Sequence, residues 1–219
     1  MRVLLFGATG MIGRGVLREC LLDPDVPDVV SIVRHPGGQK HPKLHEIVHE
    51  DFLDFSRLEP ELTGLDACLF CLGVSSAGMS ENDYRRVTYD ITLAAAQTLA
   101  RLNPGMIFIY VSGAGTDSTE QGRSMWARVK GMTENALLRV PFKAVYLFRP
   151  AGIQPLHGIT SRTRLYHVFY AAARPLFPLL RAILPNLMTT TEQLGRAMLT
   201  VAKHGFPTPV IESRDINHI

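Results

Sequence analysis

The chain opens MRVLLFGATGMIG, and this stretch limits the fold more than any other. A short apolar run, Arg2–Gly7, leads straight into three glycines spaced Gly7, Gly10 and Gly13. From Met11 to Leu22 the apolar residues recur at helical spacing. A strand, a glycine turn and a helix in that order let the backbone double back tightly. They bring the free N–H groups of a helix N-terminus to the turn, which is a seat for a pyrophosphate. The position gives the motif its force: the same triplet inside a loop carries little information, whereas here it opens a βαβ unit.

The rest of the chain continues the alternation. Strand-like runs lie at Asp28–Arg34, which is β-branched and apolar, and at Leu65–Leu72, Met106–Ser112 and Lys143–Arg149, while Leu44–His49 alternates as a strand does. Helical patterns lie at Glu81–Leu102 and Gly122–Leu138, the first ended by Asn103-Pro104-Gly105. This order predicts an α/β fold, a doubly wound parallel sheet with helices on both faces. After Pro150 the pattern changes. Helical spacing at Ser161–Ala173 and Thr191–His204 and a short run at Pro209–Glu212 predict a small, mostly helical C-terminal lobe. The reading is one NAD(P)-binding domain over residues 1–219, with 151–219 as its substrate-side lobe.

Composition narrows the class. A net charge of +3 is too small to suggest nucleic acid. It is unevenly spread: Asn135–Thr191 has no acid and seven Lys and Arg residues, so the remainder carries −4. That segment either meets an anion or is a solvated face. The basic 162–187 stretch includes the apolar run Pro175–Leu187, for which a core or dimer helix is favoured over contact with a membrane surface. No signal peptide is read at the N-terminus, and no apolar run reaches the length of a membrane span. Three cysteines make no disulfide framework. Cys68 and Cys71 form C-x-x-C on a strand, where residues three apart face opposite sides, so core packing is expected and no metal site. A cytoplasmic location fits this usage.

The second strand ends Val33-Arg34-His35. Sites that prefer NAD place an acid about 20 residues past the glycines, on the ribose 2′-hydroxyl. Here that place offers Arg34, whose guanidinium suits a 2′-phosphate. NADP(H) is therefore expected in preference to NAD(H).

GATGMIG, EDF at Glu50–Phe52, CLG at Cys71–Gly73, YVSGAG at Tyr110–Gly115, WARVKG at Trp126–Gly131 and FRPAGI at Phe148–Ile153 follow one another in a familiar order. On these residues the chain resembles the atypical short-chain dehydrogenase/reductases of the NAD-dependent epimerase/dehydratase group. It looks closest to bacterial relatives of the Tat-interacting oxidoreductase-like proteins. The resemblance implies a cofactor site of Gly7, Thr9, Gly10, Met11, Ile12 and Gly13 at the pyrophosphate. Asp51 and Phe52 would flank the adenine, and Cys71, Leu72 and Gly73 would lie below the nicotinamide ribose. Lys130 would hold the ribose hydroxyls, and Pro150 to Ile153 would border the nicotinamide.

Two positions depart from the family pattern. Ser112 is present for the substrate carbonyl, but Gly113, Ala114 and Gly115 follow it. Trp126 stands where the family has its tyrosine, four residues before Lys130. An indole N–H donates hydrogen bonds but does not exchange a proton as a phenol does. The catalytic set is read as Ser112, Lys130 and Trp126; His157, Tyr166 or His167 could fold over the pocket as a replacement acid, although a lone His or Tyr at such positions is more often structural. The expected activity is hydride transfer from NADP(H) to a small carbonyl or quinone-like acceptor. The alternative is a catalytically silent NADP(H)-sensing module that binds a protein partner. A monomer or homodimer is expected.

Overall fold

The computed structural model describes residues 1–160, 183–184 and 186–219. Five elements build its first half: β1 (Arg2–Phe6), α1 (Met11–Leu22), β2 (Asp28–Val33), β3 (Leu44–Val48) and β4 (Ala67–Phe70). There follow α2 (Glu81–Arg85), which runs through a π turn at Arg86–Asp90 into α3 (Ile91–Leu102), then β5 (Ile107–Val111), α4 (Met125–Leu137) and β6 (Ala144–Arg149). The chain ends with β7 (Gly152–Gln154), β8 (Met188–Thr190), α5 (Thr191–His204), β9 (Val210–Glu212) and α6 (Ser213–Ile216).

The main sheet has seven parallel strands in the order β3-β2-β1-β4-β5-β6-β9. The chain leaves β1 in one direction for β2 and β3, then returns to β4 on the other side of β1. A crevice therefore opens above the carboxyl ends of β1 and β4.

Alternation along the strands divides the core in two. Val3, Leu5, Leu69, Ile109 and Phe148 face one side, where Val16 and Leu17 of α1 and Leu194, Ala197 and Met198 of α5 cover them. Leu4, Phe6, Phe70, Phe108 and Tyr110 face the other, against Ala95, Ala96 and Leu99 of α3 and Leu137 of α4. Cys68 packs in the second cluster and Cys71 against the first, so the C-x-x-C pair is divided between the two sides.

The described part of residues 151–219 is built into this body. β9 is the seventh strand, and α5 lies close along α1. A Cβ on Gly15 would meet the Thr191 Cβ at 2.6 Å, and one on Gly195 would meet the Glu19 Cγ at 2.8 Å. β7 and β8 form a separate two-stranded parallel ribbon, which the sequence pattern did not predict. The expected helix Ser161–Ala173, with Tyr166 and His167, lies outside the described residues, as does most of Pro175–Leu187.

One buried ion pair ties α4 to β6. Glu134 is 1% exposed; its carboxylate accepts two hydrogen bonds from the Arg149 guanidinium, one at 3.1 Å from Nε. Arg149 also donates to the Ser118 hydroxyl at 2.7 Å and pairs with Glu212 at 3.3 Å. Removing one partner strands a charge in a dry place. We expect Arg149→Met to cost about 3–5 kcal/mol in urea unfolding. Arg149→Met combined with Glu134→Leu should recover most of that loss. A single-variant cost below about 1 kcal/mol would mean that water reaches Glu134.

Candidate functional site

The glycine turn is held from both sides. Gly7 leaves β1 with φ +80, a conformation that favours glycine. A Cβ there would lie 2.7 Å from the Cys71 carbonyl group, at the end of β4. Gly10 N–H donates to the Gly7 carbonyl at 2.9 Å. A Cβ on Gly13 would lie 2.0 Å from that same oxygen. The first turn of α1 thus sits directly on the end of β1. Its N-cap, Gly10, supplies no side-chain hydrogen bond, and the first turn carries no acid. By contrast, α5 is capped by the Thr190 hydroxyl and carries Glu192 in its first turn. The α1 N-terminus therefore keeps free N–H donors and an uncompensated positive end.

A cleft of about 510 Å³ opens in front of it. Gly7, Thr9, Gly10, Met11 and Ile12 form its floor, and Cys71, Leu72 and Gly73 form one wall. Phe52 and Arg34 line the end near β2, while Ser112 and Lys130 line the end near β5 and α4. Arg34 is exposed and takes part in no ion pair among the described residues. The site fits a dinucleotide: Gly73 borders the cleft with open space where a Cβ would stand, and a free helix N-terminus faces it with a guanidinium at one end.

At the other end, Lys130 Nζ lies 3.5 Å from the Val111 carbonyl and 5.2 Å from the centre of the Tyr110 ring. Burial pushes its ammonium pKa down to about 8, and Glu134, one turn further along α4, pulls the other way. Ser112 is buried, and its Oγ lies 3.0 Å from the Thr116 hydroxyl.

Four expected site residues lie off the cleft lining. Gly13 lies beneath the turn as a packing contact. Asp51 is exposed, and its carboxylate accepts from the Leu53 N–H at 3.0 Å. Pro150 is buried, and its carbonyl accepts from the Ala114 N–H at 3.0 Å, which anchors the turn after Ser112. Trp126 lies over that turn: a Cβ on Gly115 would be 3.6 Å from the indole, and one on Gly113 3.9 Å. The glycines that interrupt the family pattern are thus the surface on which the indole rests.

His157 is tied elsewhere. It has φ +56, and its Nε2 lies 2.6 Å from Glu192 at the start of α5. It lines a neighbouring hollow together with Thr9, Arg14, Arg18 and Gly37. Two residues not singled out in the sequence also shape the site. Glu46 of β3 accepts from the Gly37 N–H at 3.0 Å and holds the loop after Arg34. Thr116 meets Ser112 across a turn whose sequence has no periodicity to betray the contact.

No protein-family model matches the chain. It is 25% identical over 201 residues to protein HTATIP2 of Rattus norvegicus, covering 85% of this chain and 81% of that one. It is 27% identical over 152 residues to the mitochondrial protein FMP52 of Eremothecium gossypii, covering 68% of this chain but 65% of that one. Among solved structures it is similar to a UDP-glucose 4-epimerase from Thermotoga maritima, with a TM-score of 0.72 at 13% identity, covering 97% of this chain and 76% of that one. It is likewise similar to the dTDP-glucose 4,6-dehydratase DesIV of Streptomyces venezuelae, solved with NAD bound. That match has a TM-score of 0.68 at 22% identity and covers 97% of this chain and 75% of that one. The structural likenesses show the fold, a Rossmann fold. With the sequence relatives, they bear out the resemblance to the atypical short-chain dehydrogenase/reductases and to the Tat-interacting oxidoreductase-like proteins.

The depressed Lys130 pKa has a measurable consequence. Its folded value of about 8 lies below the ordinary 10.5, so between those pH values the unfolded chain binds more protons than the folded one. Stability contributed at this position is lowest below pH 8 and rises toward pH 10.5. Unfolding of the wild type, measured against Lys130→Met across that range, should show the wild type gaining relative stability as pH rises. A flat difference would place the ammonium in water.

Proposed function

We propose that this atypical short-chain dehydrogenase/reductase binds NADP(H) in the cleft and passes hydride to a small quinone-like or carbonyl acceptor, with Trp126 in place of the usual tyrosine. The observation that carries this reading is the free α1 N-terminus on its glycine turn, at the point where the sheet reverses direction, with unpaired Arg34 at the end of β2. The pyrophosphate would lie on Gly7–Ile12, the 2′-phosphate beside Arg34 and the ribose hydroxyls beside Lys130. The reduced nicotinamide supplies two electrons and one proton's worth of hydrogen as hydride.

The acceptor then needs one proton. A quinone that has taken hydride leaves a phenolate, which is stable in water and takes its proton from solvent. A ketone leaves an alkoxide, which needs an acid beside it. Trp126 has no proton to give, so the quinone side of the class is favoured. Its indole offers an apolar surface next to the Ser112 end of the cleft. The second reading, a sensor that binds NADP(H) and turns nothing over, is supported by the same replacement. The three free cysteines, two of them buried, suit a reducing compartment such as the cytoplasm.

Trp126 is the one tryptophan of the chain and rests on the turn that follows Ser112, so its fluorescence reports on the inner edge of the site. Titration should give tighter binding of NADPH than NADH, by about 1.5–3 kcal/mol for a charged contact. Arg34→Ala should remove the difference and leave NADH binding unchanged. Equal affinities in the wild type would refute the assignment of Arg34.

Activity should separate the two readings. With NADPH and a panel of quinones, aldehydes and ketones, we expect quinone reduction by the wild type. Trp126→Tyr should add carbonyl reduction, only in part because Gly113 and Gly115 leave its hydroxyl loosely placed. Tight NADPH binding with no turnover by either protein would favour the sensor.

A further inference from the structure

The hydroxyl pair at the inner end of the cleft has a fixed polarity. Thr116 Oγ1 lies 2.8 Å from the Gly113 carbonyl oxygen and 3.0 Å from Ser112 Oγ. A carbonyl oxygen only accepts, so the short contact to Gly113 consumes the single Thr116 proton. The contact to Ser112 must then run the other way, with Ser112 donating and Thr116 accepting. Both residues are 8% exposed, and Ser112 lines the cleft. The Ser112 proton is therefore turned into the protein, and what faces the cleft is lone-pair density.

We propose that Thr116 is a positioning residue that makes Ser112 a hydrogen-bond acceptor, so that this end of the cleft selects a ligand group bearing an O–H. The inference rests on reading the cleft as the cofactor and substrate site and deepens it. A carbonyl or quinone oxygen meets the wrong polarity there. To bind, it must turn Ser112 outward and strip Thr116 of its hydrogen bond. An alcohol or hydroquinone meets the resting arrangement. The reduced member of the substrate couple is held more tightly than the oxidised one, by about five-fold for one neutral hydrogen bond.

The surrounding geometry keeps the pair in place. The Thr116 N–H also donates to the Gly113 carbonyl at 3.2 Å, and the Ser112 N–H donates to the Phe148 carbonyl at 2.7 Å. The turn between them is anchored by Ala114 on the Pro150 carbonyl. These bonds hold the two Oγ atoms at hydrogen-bond distance, and the Gly113 carbonyl beside Thr116 sets which of them donates.

Neutron diffraction from a deuterium-exchanged crystal of the full chain tests the polarity directly and needs no substrate. The expected map shows the Ser112 deuteron aimed at Thr116 and the Thr116 deuteron aimed at Gly113. A Ser112 deuteron aimed into the cleft, or a Thr116 deuteron aimed at Ser112, overturns the proposal. The selectivity is read with cyclohexanol and cyclohexanone as a matched probe pair on the NADP⁺-loaded protein, followed by Trp126 fluorescence. Cyclohexanol should bind about five-fold more tightly in the wild type and in Thr116→Ser, and Thr116→Val should erase or invert the ratio. Equal binding in the wild type, or a ratio that survives in Thr116→Val, overturns the selectivity. Failure of NADP⁺ itself to bind would count against the cofactor reading, while the deuteron positions would still decide the role of Thr116.

Discussion

The contact between Gly13 and the Gly7 carbonyl sets the rest of the molecule. Any side chain at position 13 would stand within 2.0 Å of that oxygen, so the bare backbone of α1 lies on the end of β1. Because Gly7 in turn abuts Cys71, the same contact fixes β4 relative to the helix N-terminus. The seam continues along α1. Gly15 admits Thr191, and Gly195 admits the side chain of Glu19. Close backbone contacts thus run from the first strand to the last long helix, and the positive end of α1 faces the crevice where the sheet reverses. The dinucleotide-type site is a by-product of how tightly these elements pack.

The opposite wall is built on a different principle. Helix α4 carries Lys130 at the cleft and Glu134 one turn further on, and Glu134 is locked to Arg149 of β6. The ion pair fixes the helix along its axis, so Lys130 is held where burial depresses its pKa. Trp126, one turn earlier, is seated on Gly113 and Gly115. Bulky ring and small residues fit together: a side chain at either glycine would press on the indole, and a smaller ring would leave the turn uncovered. Trp126 and the glycines after Ser112 form a single structural arrangement.

Much of this was legible because the chain punctuates itself strongly. The limits of α1 follow from Gly10 and the end of its apolar stripe, and those of α5 from the Thr190 cap and the Gly205 stop. The inner parallel strands are apolar on both faces and announce themselves, while the edge strand β3 carries His45 and Glu46 and shows only by alternation. The β7–β8 ribbon did not, since three residues per strand hold no period and the partners lie far apart in sequence. The π turn at Arg86–Asp90 was equally silent, because its residues continue a helical pattern. Among site residues, the cleft floor follows from the glycine motif. Trp126 and Lys130 do share a side of α4, but only Lys130 lines the cleft. Thr116 depends on the path of a turn, which carries no pattern.

The proton economy of the cleft narrows the chemistry further. Among the described lining residues, the Cys71 thiol is pushed well above its usual range by burial and stays neutral. Burial lowers the Lys130 pKa to about 8, so at neutral pH it is still mostly protonated. In the proposed reading its place beside the Val111 carbonyl would let it hold a ribose hydroxyl as a charged donor. Trp126 brings no proton, and the hydrogen bonds of Ser112 and Thr116 turn theirs inward. On the proposed reading, such a cleft would receive hydride well only where the product tolerates a negative charge until water delivers the proton. That condition separates acceptors by the acidity of their reduced form, and it places hydroquinones ahead of simple alcohols.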